Sequence, residues 1–186
     1  MGKDLKIKGA TVSLILGDIT LQNMGAIVNA ANPGLMGGGG VDGAIHRAGG
    51  PAILEECKQI IAKQGPLQTG KAVITTGGNL KAKFVIHTVG PIWRGGNANE
   101  PALLSSSYRE SLRLAADRKL ESLAFPSIST GAYDYPVSEA APVAVGAVVK
   151  FLREENATIR RVVFVLFNRE TYDAYSSVLD AESIQG

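Results

Sequence analysis

The chain has one cysteine and two histidines in 186 residues. A lone Cys57 forms no intramolecular disulfide and carries no thiol-protease signature, so a reducing, cytoplasmic setting is the simplest expectation. Two histidines, His46 and His87, exclude a His-rich metal site, and no set of carboxylates groups itself along the sequence, so neither a metal nor a cofactor is expected. His87, inside Phe84-Val-Ile-His-Thr-Val89, reads as a hydrogen-bonded sheet residue. His46, four residues after Asp42, reads as a packed neighbour of it. No G-x-S-x-G nucleophile elbow occurs. Long hydrophobic runs are missing too: the longest uncharged apolar stretch, Ala140 to Val149, holds ten residues and two helix breakers, too few to cross a bilayer. The segment Met1-Gly-Lys-Asp-Leu-Lys6 is charged, lacks the apolar core of a secretory signal, and has lysine where a myristoylation pattern needs Ser or Thr. An excess of one charge is also lacking. The net charge of +2 is too small, and the basic residues too scattered, to imply a nucleic-acid or membrane partner.

The most informative absence is local. No Lys or Arg occurs from Ala26 to His46, nor from Leu123 to Val149. These stretches contain Asn29-Ala-Ala-Asn32 running into Gly37 to Gly40 with Val41-Asp42, and Ser127-Ile-Ser-Thr-Gly-Ala-Tyr133. An anion held there must be held by backbone N–H groups. Glycines let successive amides turn toward one point without a Cβ in the way, and a helix starting just downstream adds the positive end of its dipole.

Apolar residues make up 45% of the chain and charged ones 19%, which excludes a disordered or fibrous class. Residues 1–186 are expected to form a single domain burying roughly 70% of its unfolded surface. Strands are expected at 5–8, 11–16, 26–30, 72–76, 84–89, 123–126 and 161–167. Helices are expected at about 41–47, from Gly50-Pro51 to Gly65-Pro66, and at 101–118, 137–155 and 171–179. Apolar strands alternating with helices imply a mostly parallel sheet covered on both faces, with ligands collecting beyond the carboxyl ends of the strands. Both special loops sit at such ends, as do Gly17-Asp18 and Phe167-Asn168.

Two glycine motifs are decoys. Gly65-Pro-Leu-Gln-Thr-Gly-Lys71 begins like a P-loop, but Ala72 replaces the Ser/Thr that would hold magnesium, and the segment leaves a helix and enters a strand, the reverse of the required order. Gly38, Gly40 and Gly43 satisfy G-x-G-x-x-G, yet lie too far from the preceding strand for a Rossmann turn, and no acidic residue clearly ends a second strand about twenty residues on.

Taken together, Gly17-Asp-Ile-Thr20, Asn29-Ala-Ala-Asn32, Gly37-Gly-Gly-Gly-Val-Asp-Gly-Ala-Ile-His-Arg47, Val85-Ile-His-Thr-Val-Gly-Pro-Ile-Trp93 and Ser127-Ile-Ser-Thr-Gly131 resemble the macrodomain family, specifically its MacroD-type ADP-ribosyl hydrolase branch. The resemblance runs along nearly the whole chain in order. It implies a three-layer α/β/α macrodomain with a six-stranded mixed sheet, and ADP-ribose as ligand. By that likeness Asp18 accepts from the adenine amino group beside the Ile19 backbone, and Phe167 lies against the adenine ring. Gly39, Gly40 and Val41, with Ser129, Thr130, Gly131 and Ala132, donate to the diphosphate, and Tyr133 packs on the distal ribose. Asn32 binds the ribose hydroxyls, and Asp42 orients or activates a water; Asp42 or a substrate phosphate could equally take its proton. The implied activity is metal-independent hydrolysis of mono-ADP-ribose esters on acidic side chains of proteins, with O-acetyl-ADP-ribose as a further substrate. The alternatives are a non-catalytic ADP-ribose reader and an ADP-ribose 1″-phosphate phosphatase. The chain departs from the family pattern at Asp134, where glycine is usual, and at Pro142, expected to kink the helix that follows the second loop.

Overall fold

The structure, a computed structural model, describes residues 3–156 and 158–186. Its strands are β1 (Lys3–Ile7), β2 (Ala10–Leu16), β3 (Ala26–Ala30), β4 (Ala72–Thr76), β5 (Phe84–Thr88), β6 (Ser122–Phe125) and β7 (Arg161–Leu166). They form one sheet in the order β1-β2-β7-β6-β3-β5-β4. The five inner strands are parallel to one another, and β1 and β4 run antiparallel at the two edges. The count of seven corrects the six implied by family likeness. Each of the seven apolar runs in the sequence is a strand, including β1, which buries Leu5 and Ile7 on one side and exposes Lys6 on the other, the alternation of a half-covered edge.

Five helices complete three layers: α1 (Gly40–Gly49), α2 (Pro51–Gln64), α3 (Glu100–Asp117), α4 (Val137–Glu154) and α5 (Arg169–Gln185). Successive strand residues face opposite ways, so β3 supplies two cores. Ile27 joins Val85 and Val163 beneath Ile45 of α1 and Ile53 and Cys57 of α2. Val28 joins Val12, Phe125 and Phe164 beneath Tyr108, Val145 and Tyr175 of α3, α4 and α5.

Helix limits follow local chemistry. Gly50, at φ 78°, ends α1, and Pro51 opens α2. The P-loop decoy is a helix stop: Gly65 N donates to Ile61 O at 2.8 Å. The last helix is longer than the 171–179 expected, because Asn168 Oδ1 accepts from Thr171 N at 2.9 Å and so starts the helix at Arg169. Helix α4 runs unbroken through Pro142, whose missing N–H falls only one turn and a half into it. No helix among the described residues is long and apolar enough to cross a membrane.

Candidate functional site

Parallel register sets the site. Strands β2, β7, β6 and β3 are consecutive neighbours in the sheet and point the same way, so the four loops leaving them emerge side by side. Neighbouring strands lie about 4.8 Å apart, so the row spans roughly 14 Å. Asp18 follows β2 and Phe167 follows β7, the two ends tied by Gly17 N donating to Leu166 O at 2.9 Å. Phe167 is 90% exposed. The Asp18 carboxylate spends one oxygen on Thr20, accepting from its amide at 2.8 Å and its hydroxyl at 2.7 Å, which turns the chain into a short 3-10 helix at Ile19–Leu21. Ile19 is buried there.

The loop after β6 is held from outside and below. Tyr135 N donates to Ser129 O, Asp134 N to Gly131 O, and Trp93 N to Tyr133 O, all at 2.9–3.0 Å. Underneath, Tyr108 Oη accepts from Ile128 N at 3.0 Å, and Tyr175 Oη donates to Ser127 Oγ at 2.9 Å. Burial pushes both phenols above their usual range, so they stay neutral. Ser129 takes φ 68° and Asp134 φ 57°, so aspartate keeps the left-handed turn at the position where the family favours glycine. Gly90, leaving β5, presses so close that a Cβ there would run into Ser129 and Ile128. The amides of Ser129, Thr130, Gly131, Ala132 and Tyr133 have no acceptor among the described residues. Five consecutive donors are left unspent at the end of β6.

The loop after β3, the strand beside β6, ends in a helix start. Gly39 caps α1 with no side-chain hydrogen bond, and the first intrahelical donor is Gly43 N, to Gly39 O at 3.2 Å. The amides of Gly40, Val41 and Asp42 are therefore the unpaired donors of a helix N-terminus. Asp42, in this first turn, is 6% exposed. Its Oδ1 accepts from Asn29 Nδ2 at 2.8 Å. Asn32 Nδ2 donates to Gly37 O at 3.0 Å. A Cβ at Gly38 would lie 3.3 Å from Asp42 Oδ2 and 3.6 Å from Asn32 Nδ2, so both polar groups converge on that glycine. The residues singled out in the sequence thus fall along one edge of the sheet, ordered Asp18 and Ile19, Phe167, Ser129 to Tyr133, then Asn32 and Gly39 to Asp42.

Behind Asp42 lies a buried polar chain. Asn29 Nδ2 also sits 3.1 Å from His87 Nδ1, and His87 Nε2 sits 2.9 Å from Thr75 Oγ1. Asn29 and His87 are register partners on adjacent strands. Only their shared strand pairing reveals the link; in the sequence they are two polar residues 58 apart, each inside an apolar run. Cys57 Sγ approaches His87 Nε2 at 3.9 Å, and burial, then Asp42 and Glu56, push this thiol up to about 11. His46, Cys57 and His87 each bring one potential metal-ligand atom within 4.8 Å of the others, a grouping the sequence did not reveal. His46 Nε2 lies 3.4 Å from Asp42 Oδ1 but makes no hydrogen bond.

An open, mostly parallel sheet covered on both faces, with lysine-free loops at its carboxyl edge, defines a protein of the three-layer α/β/α class. Comparison with known proteins narrows the class. A family model described as Macro domain matches residues 28–144, and the chain belongs to the macro domain family. A macro domain-containing protein of Caldanaerobacter subterraneus subsp. tengcongensis is 57% identical over 91% of this chain and 95% of its own length. An O-acetyl-ADP-ribose deacetylase of Klebsiella pneumoniae is 54% identical over 89% of this chain and 94% of its own. Among solved structures, the Oceanobacillus iheyensis macrodomain with ADP matches at a TM-score of 0.95 and 41% identity, covering 100% of this chain and 98% of that one.

Proposed function

We propose that the chain binds ADP-ribose across the four strand ends and hydrolyses esters of it: mono-ADP-ribose on acidic side chains of proteins, and O-acetyl-ADP-ribose. The observation that carries this reading is the pairing of five unspent amides, Ser129 to Tyr133, with an uncapped helix start that bears the buried carboxylate of Asp42. Two sets of main-chain donors suit a diphosphate. Each charge-assisted hydrogen bond contributes about 1.5–3 kcal/mol, and several reach micromolar affinity, about −8 kcal/mol, without a cation. Asp18 and Phe167 lie at the adenine end; Tyr133, Asn32 and Asp42 lie at the distal ribose.

With the diphosphate held, the ribose comes to Gly38, where Asp42 Oδ2 and Asn32 Nδ2 converge. Asp42 Oδ1 is engaged with Asn29, so Oδ2 is the oxygen free to take a proton from a water. The water oxygen bonds to the anomeric carbon, the bond from that carbon to the protein carboxylate breaks, and the carboxylate leaves with its electron pair. Deacetylation cuts an acetyl ester instead and needs the same proton acceptor. The names of the deacetylase relatives support this second substrate.

The deciding experiment incubates a protein mono-ADP-ribosylated on glutamate, and separately O-acetyl-ADP-ribose, with wild type and Asp42→Ala. Released ADP-ribose is followed in both, and ADP-ribose affinity is measured by calorimetry. Turnover by wild type that falls at least 100-fold in the variant, on the order expected for a displaced acid-base group, with affinity within about 3-fold, supports the hydrolase. A wild type that binds ADP-ribose and turns over neither ester is a reader.

A further inference from the structure

We propose that His87 is a positioning residue for Asp42, acting through the side-chain amide of Asn29. The inference rests on the role given to Asp42 above, and it follows from counting hydrogens. Asn29 Nδ2 has two hydrogens and two neighbours, Asp42 Oδ1 at 2.8 Å and His87 Nδ1 at 3.1 Å. A carboxylate oxygen only accepts, so one hydrogen goes to Asp42 and Nδ1 takes the other. The imidazole is then neutral with its proton on Nε2. That N–H meets Thr75 Oγ1 at 2.9 Å, and the threonine hydroxyl donates to Thr76 O at 3.0 Å. One proton arrangement satisfies every link.

The reverse arrangement fails. With the Asn29 amide turned over, its carbonyl oxygen would face the Asp42 carboxylate and both donor contacts would vanish. Of the Asn29 amide, the observed orientation leaves Oδ1 without a partner, the smaller cost. What holds the amide in place is the lone pair on His87 Nδ1. It fixes which end of Asn29 meets Asp42, and thereby leaves Oδ2, not Oδ1, at Gly38.

Burial, then the neighbouring His46, lower the His87 imidazole to about 3, so the lone pair persists through neutral pH. The groups facing the ring are Asn29, Thr75, the Cys57 thiol and His46, whose ring centroid is 6.2 Å away. Donation from Nε2 to Thr75 also leaves that nitrogen no lone pair for a cation, so the His46, Cys57 and His87 cluster is not set for metal. A core needing only stability gains nothing from such a chain, because each buried polar group costs desolvation that apolar packing avoids.

Two variants separate positioning from packing. His87→Phe keeps bulk and removes the acceptor; His87→Asn returns an acceptor oxygen near the place of Nδ1. On the ester substrate, His87→Phe is expected to lower kcat at least about 10-fold, as for a slightly misplaced reacting group, with KM and ADP-ribose affinity within about 3-fold. His87→Asn is expected to restore kcat to within about 3-fold of wild type. An equal fall in both variants, or binding lost in step with kcat, makes His87 a packing residue and overturns the proposal. Nitrogen-15 NMR of the wild type decides the matter independently of folding in the variants. A neutral ring protonated at Nε2 from pH 5 to 8, with a slowly exchanging Asn29 side-chain amide, supports the proposal; an Nδ1–H ring or a charged one defeats it. Should the wild type hydrolyse no ester, the proposed function fails while these spectra still test the orientation of Asn29.

Discussion

Phe167 leaves 90% of its surface to solvent at the end of β7, where it contributes nothing to either core. A base laid on its ring would recover that area. Replacing it by alanine is expected to weaken ADP-ribose binding by about 1–3 kcal/mol, the range for base–aromatic stacking, and to leave the melting temperature unchanged; titration calorimetry and a thermal scan check both. Cys57 gives the opposite case. Buried against α1 and β5, with its thiol pushed up to about 11, it is expected to resist a disulfide reagent at pH 8 in the native protein and to react fully in denaturant. That Asp18, Phe167, Asn32 and Asp42 lie along the carboxyl edge of the sheet was legible in the sequence, because each sits beside a strand end or a glycine run; their roles came from family likeness alone. Asn29 and His87 were not, because their partnership is made by strand register, which a single chain does not display. Tyr108 and Tyr175 stayed hidden for a related reason: their hydroxyls reach the loop after β6 from below, out of two helices far apart in sequence.

At the scale of elements, Glu100 organises the approach to the second loop. Buried at the start of α3, it accepts from the amides of Arg94, Gly96 and Ala98. Burial disfavours its charge, but these amides outweigh that and hold the carboxyl below its ordinary value of 4.5. A depressed carboxyl contributes stability fully present above the unfolded value and lost as pH falls through the folded one. Glu100→Gln is therefore expected to melt lower than wild type at pH 7, with the gap closing as pH drops below about 4.5, which melting curves from pH 7 to 3 would reveal. The effect reaches the site, since the segment gathered by Glu100 carries Trp93, whose amide holds Tyr133 O. Strand and helix positions were largely readable, from period and from glycine and proline punctuation. The strand total was readable too, since seven apolar runs match the seven strands; the count of six came from family likeness and not from the residues.

For the whole molecule, the distribution of charge matters more than its sum. The two stretches that build the candidate site hold no lysine or arginine, so the attraction for a diphosphate comes from dipoles at contact distance rather than from a long-range field. ADP-ribose affinity is expected to fall less than about 3-fold between 50 and 500 mM NaCl, because amide contacts lie well inside the screening length. A steep loss in a salt titration would assign binding to scattered cations instead.

The row of four parallel strand ends acts as a ruler. Its graduations are set by backbone pairing, the same in every parallel sheet and beyond the reach of side-chain substitution. A molecule with only one phosphate between its two ends should engage the Asp18 end or the Asn32 end, never both at once. Tolerance for altered bases or sugars can evolve at the rim, whereas the distance from end to end is inherited with the sheet itself.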